Sequence, residues 1–259
     1  MMYFVSARSD VGRSRENNED NFSVNGRYMP QPAKDSYSIE AEFAQGVVAV
    51  CDGMGGESFG EFASLAGART LADNYQSLLS DDFILRKKAV DHLIRSANSD
   101  ICEEMQKKDA RIGATIVLAC LKDSHADVFN IGDSRAYLYR KGSLEQLTRD
   151  HTILQQKIDF GIITAQESAN SEDKNRLTQH LGIFESDMVI GAAYAEAPLE
   201  PGDIILLCSD GLTDMVTNEE ISAILAASLD VDAMSASLVS KALENGGKDN
   251  VTVVVVMAN

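Results

Sequence analysis

Positive charge is scarce in this sequence: 23 Lys and Arg face 40 Asp and Glu across 259 residues, a formal charge of −17. Such a field repels a phosphate backbone, which disfavours general nucleic-acid binding and attachment to anionic membranes. A small phosphorylated group stays open, because a bound dication reverses the sign of the field locally. Long apolar runs are missing as well. The longest, Val251–Ala258, falls well short of the ~20 residues that a membrane span needs. The opening Met1-Met2-Tyr3-Phe4-Val5-Ser6 has no basic patch leading into an apolar stretch, so no secretory signal is read and the cytoplasm is the expected compartment. The four cysteines (Cys51, Cys102, Cys120, Cys208) are widely spaced with no CxxC pair, which predicts buried free thiols rather than disulfides. Repeats of 20–50 residues and low-complexity tracts are also lacking.

What the sequence does have is apolar content, 44% of its residues, enough for a sizeable core and against general disorder. The length allows one or two domains; the expectation is a single domain over 1–259, because a strand-like run lies beyond the irregular stretch that would otherwise mark a boundary. Val47–Cys51, Ala114–Leu121, Asp127–Ile131, Arg135–Tyr139, Ile204–Cys208 and Val251–Met257 read as strands, rich in branched or aromatic residues and bounded by Gly, Asp or Asn. Several are apolar throughout rather than alternating, which predicts a sheet covered on both faces. Asp127–Ile131 and Arg135–Tyr139, joined by Gly-Asp-Ser, predict an antiparallel hairpin. Apolar spacing predicts helices over Gly60–Tyr75 and along the stripe Val90, Leu93, Ile94, Ala97, Ile101 and Met105. Asn218 is the expected N-cap of a helix over Glu219–Ala227, and a last helix runs from Asp232 to Glu244 and stops at Gly246-Gly247. The pattern is α+β, with helices packed outside a layered sheet. Asn25–Ala44, with two prolines, reads as a long hairpin or loop, and Ile153–Ala197, strongly hydrophilic over Glu167–Asn175, as an excursion from the domain.

The informative residues are acidic groups at the ends of apolar strands. Val47–Cys51 runs into Asp52-Gly53-Met54-Gly55-Gly56, and Ile204–Cys208 runs through Ser209 into Asp210-Gly211-Leu212-Thr213-Asp214. Ile131-Gly132 leads to Asp133-Ser134-Arg135, and Lys248-Asp249-Asn250 opens the last strand. One Asp-Gly after a strand is most often a plain turn. Four such carboxylates on neighbouring strands would crowd negative charge unless cations neutralised it, and hard oxygen ligands suit Mg²⁺ or Mn²⁺ rather than zinc. No twelve-residue loop carries EF-hand spacing. On residues alone, plain turns and a metal site both stand. Arg15, in Arg15-Glu16-Asn17-Asn18-Glu19-Asp20, could hold a phosphate through its guanidinium fork; on spacing alone, a surface arginine beside acidic neighbours is the simpler reading.

Taken in order, these segments resemble the metal-dependent PP2C (PPM) family of protein serine/threonine phosphatases in its compact bacterial form. The likeness covers nearly the whole chain. It begins with Arg15-Glu16-Asn17-Asn18-Glu19-Asp20, similar to the family's Arg-x-x-x-Glu-Asp opening, and passes through the segment at Asp52, Gly113-Ala114-Thr115 and Ile131-Gly132-Asp133-Ser134-Arg135. It continues with Leu147-Thr148-Arg149-Asp150-His151-Thr152, Asn175-Arg176-Leu177-Thr178 with Leu181-Gly182, and Ser209-Asp210-Gly211-Leu212-Thr213-Asp214. It closes with Lys248-Asp249-Asn250-Val251-Thr252. Each motif alone is weak; the order and spacing together are specific.

The resemblance implies a four-layer α/β/β/α fold, a central sandwich of two antiparallel sheets flanked by helices, with two Mn²⁺ or Mg²⁺ ions in a cleft at one edge. By that resemblance Asp52 bridges both ions and Gly53 offers its carbonyl. Asp210 and Asp249 complete one shell, Glu19 and Asp20 act through bound waters, and Asp133 matches a ligand of a third ion in bacterial members. Arg15 matches the arginine that grips substrate phosphate, so Asp52, Arg15, Asp210 and Asp249 form the implied catalytic set. A flap covers the cleft at about 153–197. Paired dications activate a water for direct in-line attack without a phosphoenzyme. The rival cysteine-based design needs an arginine six positions after the nucleophile, which none of the four cysteines has. Two features depart from the family: Met54 stands where many eukaryotic members have a histidine proposed as general acid, and Asn25–Ala44 is longer than a compact hairpin requires. His151 reads as structural. The implied partners are phosphorylated proteins, substrates of a cytoplasmic Ser/Thr kinase, met by a monomer; a catalytically dead phosphoprotein-binding relative and a phosphatase dedicated to one regulatory partner are the alternatives. With the last strand ending next to Asn259, any sensor or membrane anchor is expected on another protein.

Overall fold

Strands that are apolar on both faces must be covered on both faces, and the fold does this with a sandwich between helical layers. The structure, a computed structural model, describes residues 1–31, 36–55, 59–164 and 173–259. The elements run β1 (Tyr3–Asp10), β2 (Asp20–Val24), β3 (Arg27–Tyr28), β4 (Tyr37–Phe43), β5 (Gly46–Gly55), α1 (Gly60–Asn74), α2 (Phe83–Lys108), β6 (Ile112–Ala114), β7 (Ile116–Lys122), β8 (His125–Ile131), β9 (Arg135–Arg140) and β10 (Ser143–Gln146). They continue with α3 (Ile153–Asp159), β11 (Ala193–Pro198), β12 (Ile204–Cys208), α4 (Asp210–Thr213), α5 (Asn218–Ala226), α6 (Val231–Glu244) and β13 (Val251–Ala258). One sheet has the order β10-β9-β12-β13-β1-β4, the other β11-β8-β7-β5-β2-β3, with β6 paired to the end of β5.

Alternate residues of each central strand serve different layers. Val48, Val50, Val117, Ile205, Leu207, Val254 and Val256 fill the space between the sheets. Their neighbours Val47, Ala49, Cys51 and Leu118 pack against Leu71 of α1 and Leu93 and Ile101 of α2. On the far side Leu206, Val253 and Val255 pack against Ile221 of α5 and Leu238 of α6. Each fully buried Val, Leu or Ile among them contributes about 1.5–3 kcal/mol. This is the expected α/β/β/α layering. All four cysteines are free and buried, and burial pushes the Cys120 and Cys208 thiols up to about 12, away from nucleophilic chemistry. Among the described residues no helix is long and apolar enough to cross a membrane.

Several local expectations are corrected. Asp127–Ile131 and Arg135–Tyr139 are not a hairpin: β8 pairs with β7 and β11, whereas β9 pairs with β10 and β12 in the other sheet. Gly132, at φ +100°, lets the chain cross between the sheets, with Thr115 so close that an added Cβ would lie 2.6 Å from its methyl. Ala114–Leu121 is broken at Thr115, whose amide turns away to donate to the Asp52 carbonyl. Thr217, not Asn218, caps α5, in a reciprocal capping box with Glu220. Asp230 caps α6, which begins at Val231, one residue before the expected start. Within Asn25–Ala44, expected as a long hairpin or loop, Asn25-Gly26 turns β2 into the short β3, and β4 then joins β1 in the opposite sheet, so a tight hairpin is followed by a crossover; residues 32–35 lie outside the described residues. The expected excursion at 153–197 ends inside the core sheet as edge strand β11. Its Leu181 is fully buried, bridged to Ala114. Most of Glu167–Asn175 lies outside the described residues.

Candidate active site

The strand directions gather the acidic turns at one end of the sandwich. β5 and β8 each run antiparallel to β7, so both finish at the same end. In the other sheet β12 finishes where β13 begins, and β1 finishes beside the start of β13. The loop of residues 11–19 carries the chain from the end of β1 across to the start of β2, where Asp20 stands opposite Asp52. Asp52, Asp133, Asp210 and Asp249 therefore come from four separate strand ends yet line a cleft of about 240 Å³, together with Arg15, Glu19 and Gly53. Asp20 does not line the cleft: it is 1% exposed and sits behind it, between the sheets.

Backbone contacts hold this arrangement. The Thr115 hydroxyl accepts from the Asp52 amide at 3.1 Å and lies 2.6 Å from Ser134 Oγ, linking the Asp52 and Asp133 turns. Gly53 is enclosed so tightly that a Cβ there would lie 2.1 Å from the Gly60 carbonyl oxygen and 2.5 Å from that of Glu19. Ser209 Oγ donates to Asp20 Oδ2 at 2.7 Å and accepts from the Thr252 amide at 3.0 Å, joining the two sheets behind Asp210. The 5%-exposed Asn250 organises the 11–19 loop: its Nδ2 donates to the carbonyls of Val11 and Asn17 at 2.9 Å each, and its Oδ1 accepts from the Glu19 amide at 2.8 Å. Arg15 reaches back over the cleft, with Nη2 donating to Asp249 Oδ2 at 2.7 Å.

The electrostatics are those of a crowded anionic pocket. Among the described residues that line it, Arg15 is the one cation. Burial pushes the Asp52 carboxyl well above the usual range, and the charges of Asp20, Asp210 and Asp133 push it further. Burial, then Asp210 and Asp150, raise Asp133 to about 8. Asp210 rises to about 6 through burial and the charges of Asp214 and Asp249, opposed by a hydrogen bond with Asp52. Asp20 rises to about 7 through burial, although the Thr252 and Ser209 hydroxyls stabilise its charged form. Burial also raises Glu19, against the pull of Arg15. Carboxyls that share protons in this way form a donor set of hard oxygens, the kind that fits divalent Mg²⁺ or Mn²⁺, whose charge can take the place of those protons.

Some residues with roles here carried no assignment in the sequence. Thr115, Ser209 and Asn250 lay inside recognisable motifs, but only their partners reveal what they do. Asn175 and Leu177 line the cleft from the segment after α3. His151 accepts from the Gly132 amide through Nδ1 at 3.2 Å and is held neutral by burial, which lowers its pKa; it is occupied by the backbone at the Asp133 turn. Arg135 clamps Asp150 beside it through Nε and Nη2, at 3.0 and 2.6 Å. Met54 also lines the cleft and carries no proton to give.

Comparison with known proteins agrees with this geometry. The family model for protein phosphatase 2C matches residues 27–245. The serine/threonine phosphatase stp of Listeria welshimeri is 34% identical over 263 residues, covering 97% of this chain and 94% of that protein. The crystal structure of the Mycobacterium tuberculosis serine/threonine phosphatase PstP/Ppp superposes with a TM-score of 0.80 at 31% identity, over 100% of both chains. A structure of the PstP catalytic domain in complex with two manganese ions superposes with a TM-score of 0.79 at 32% identity, covering 99% of each chain. With the fold, the order of motifs and the matched length all in accord, the chain belongs to the protein phosphatase 2C family of protein serine/threonine phosphatases.

Proposed function

We propose that this chain removes phosphate from phosphoserine and phosphothreonine of proteins, using divalent cations held by the acidic cleft. The observation that carries the reading is the convergence of Asp52, Asp133, Asp210 and Asp249, from four strand ends, on one cleft that also holds Arg15. Asp52, the Gly53 carbonyl, Asp210 and Asp249 would hold two ions, Asp133 would serve a third, and Glu19 would act through water, while Asp20, expected to do the same, lies behind the cleft and would support the Asp210 turn through Ser209. Such ions supply charge neutralisation on the phosphoryl oxygens and lower the pKa of water into the neutral range.

The chain's own residues do the positioning. Arg15, on leaving Asp249, presents two parallel N–H donors to a phosphate oxygen pair and offsets charge that grows during attack. The Thr115–Asp52 and Asn250–Glu19 contacts hold the backbone from which these carboxylates project before substrate arrives, and such preorganisation is what makes a site effective electrostatically. Among the described residues lining the cleft there is no histidine, so the departing serine or threonine oxygen draws its proton from water or from a carboxylic acid. Phosphorylated substrates of a cytoplasmic Ser/Thr kinase are the proposed partners, Mn²⁺ or Mg²⁺ the cofactor, and a monomer the working form. A binding-only relative would be expected to have lost an acidic ligand, and each acidic position named for the metals is intact.

The test is hydrolysis of an aryl phosphate and a phosphothreonine peptide by purified protein. Turnover should require Mn²⁺ or Mg²⁺, stop in chelator and return with metal, and Asp52→Asn should abolish it at unchanged fold. Metal-independent turnover, or an Asp52→Asn protein as active as the parent, refutes the assignment.

A further inference from the structure

We propose that His125, Asp127 and Glu196 form a separate cation site, for a borderline transition-metal ion of the Zn²⁺ class, on the β8–β11 edge at the opposite end of the sandwich from the cleft. β8 is seven residues long, so its first residue stands about 20 Å from its last, which leads to the Asp133 turn. His125 and Asp127 are alternate residues of β8 and share a face. Glu196 is the direct cross-strand partner of Asp127. Two carboxylates set opposite each other across a strand pair repel, and of the two it is Asp127 that pairs with Arg86.

The distances suit a shared ion better than hydrogen bonds. His125 Nε2 lies 3.8 Å from Asp127 Oδ1 and 3.6 Å from Glu196 Oε2, too long for either bond. Ligands bound at ~2.0–2.1 Å around a tetrahedral zinc stand about 3.4 Å apart. The cluster is also short of hydrogens. Tyr194 Oη is 2.7 Å from Asp127 Oδ1 and 3.1 Å from Glu196 Oε2, yet it has one proton for two acceptors. Its ring is fixed between Phe83 and Phe129, with centroids 4.8 and 5.1 Å away. Arg86 pairs with the other oxygen of Asp127, Oδ2, and so orients the ligand carboxylate without occupying Oδ1. Asp127 and Glu196 against Arg86 leave one negative charge, and the nearby Lys122 is engaged by Asp81. The group faces a groove of about 490 Å³, which gives an ion access. An imidazole in the ligand set distinguishes it from the all-oxygen catalytic cleft and selects softer ions than Mg²⁺. An ion here would pin edge strand β11, on the exit from the 153–192 segment, to the strand that leads to Asp133.

The experiment is histidine ¹⁵N NMR on the full chain, held in saturating Mg²⁺ and titrated with Zn²⁺, with His125 assigned by His125→Gln. One equivalent of zinc should shift the His125 ring resonances saturably. Glu196→Gln, an exposed position outside the cleft, should weaken that response roughly 10–100-fold or more, while its Mg²⁺-dependent aryl phosphate hydrolysis stays at the parent level. If the two carboxylates are served by a protonated His125 instead, its ring resonances ignore zinc. A His125 signal unmoved by about tenfold excess zinc overturns the proposal, and so does a Glu196→Gln protein that binds as tightly as the parent.

Discussion

Arg15 Nη2 sits 2.7 Å from Asp249 Oδ2, so the proposed phosphate-gripping group rests on a proposed metal ligand. Their side chains are 52% and 39% exposed, and an ion pair that wet contributes about 0–1 kcal/mol to stability. Arg15→Ala should leave the melting temperature nearly unchanged but lower kcat/KM for a phosphopeptide by roughly 10²-fold, since the lost interaction is with substrate. Arg15→Lys, which keeps charge but not the planar fork, should recover part of that loss. Steady-state kinetics beside thermal melts decides it; an Arg15→Ala protein with parental kcat/KM removes Arg15 from the site.

Chelator-treated protein should lose stability as pH rises. Asp210, Asp20 and Asp133 titrate at about 6, 7 and 8 in the fold, against ~3.9 in an unfolded chain. Between those limits the folded state binds more protons than the unfolded one, so the unfolding free energy falls with increasing pH. Melting temperatures measured from pH 5 to pH 8 should decline without metal, and Mn²⁺ should raise them most at the alkaline end. A metal-free melting temperature that climbs over this range contradicts the crowded-carboxylate picture.

Gly53→Ala should damage both fold and function. The added methyl meets two backbone carbonyl oxygens, of Gly60 and Glu19, at 2.1 and 2.5 Å. Neither can swing aside as a side chain would, so a destabilisation of about 1–3 kcal/mol or more is expected, with weaker Mn²⁺ binding by calorimetry. Wild-type denaturation midpoint and metal affinity in this variant would show that the approach is looser than described.

Thr115→Val keeps the shape of the side chain and deletes the hydroxyl that the Asp52 amide and Ser134 share. Leaving those groups unpaired should cost about 1–3 kcal/mol and reduce turnover about tenfold by loosening Asp52. Thr115→Ser should restore both. Equal turnover in the valine and serine variants would mean that the hydroxyl does not position the carboxylate.

Much of this was legible in the residues. The two-faced apolar runs at Val47–Cys51, Ile204–Cys208 and Val251–Met257 announced a covered sheet, because a strand exposed on one face would alternate. The periodic stripe from Val90 to Met105 marked α2, although the helix begins earlier, at Phe83, where Asp82 caps it. The hairpin expected at Gly132 failed for a definite reason: local turn chemistry does not say whether the next strand returns to the same sheet or passes to its neighbour. Likewise Leu181, in a segment that reads as an excursion, is wholly buried against the α1–α2 layer, a fact fixed by distant partners.

By itself, then, the order of residues determined the most apolar strands, the helices α1, α5 and α6 to within a few residues, most of α2, and that each of four strand ends carries a carboxylate, since these follow from local periodicity and turn preference. β1, β2, β4 and β11, with weaker patterns, were not read as strands. The tertiary structure alone decided that those four ends meet, that Asp20 withdraws behind the cleft while Glu19 lines it, and that His125, Asp127 and Glu196 face one another at the far edge. Proximity between residues separated by tens or hundreds of positions depends on strand direction and sheet membership, which arise only when the two sheets pack.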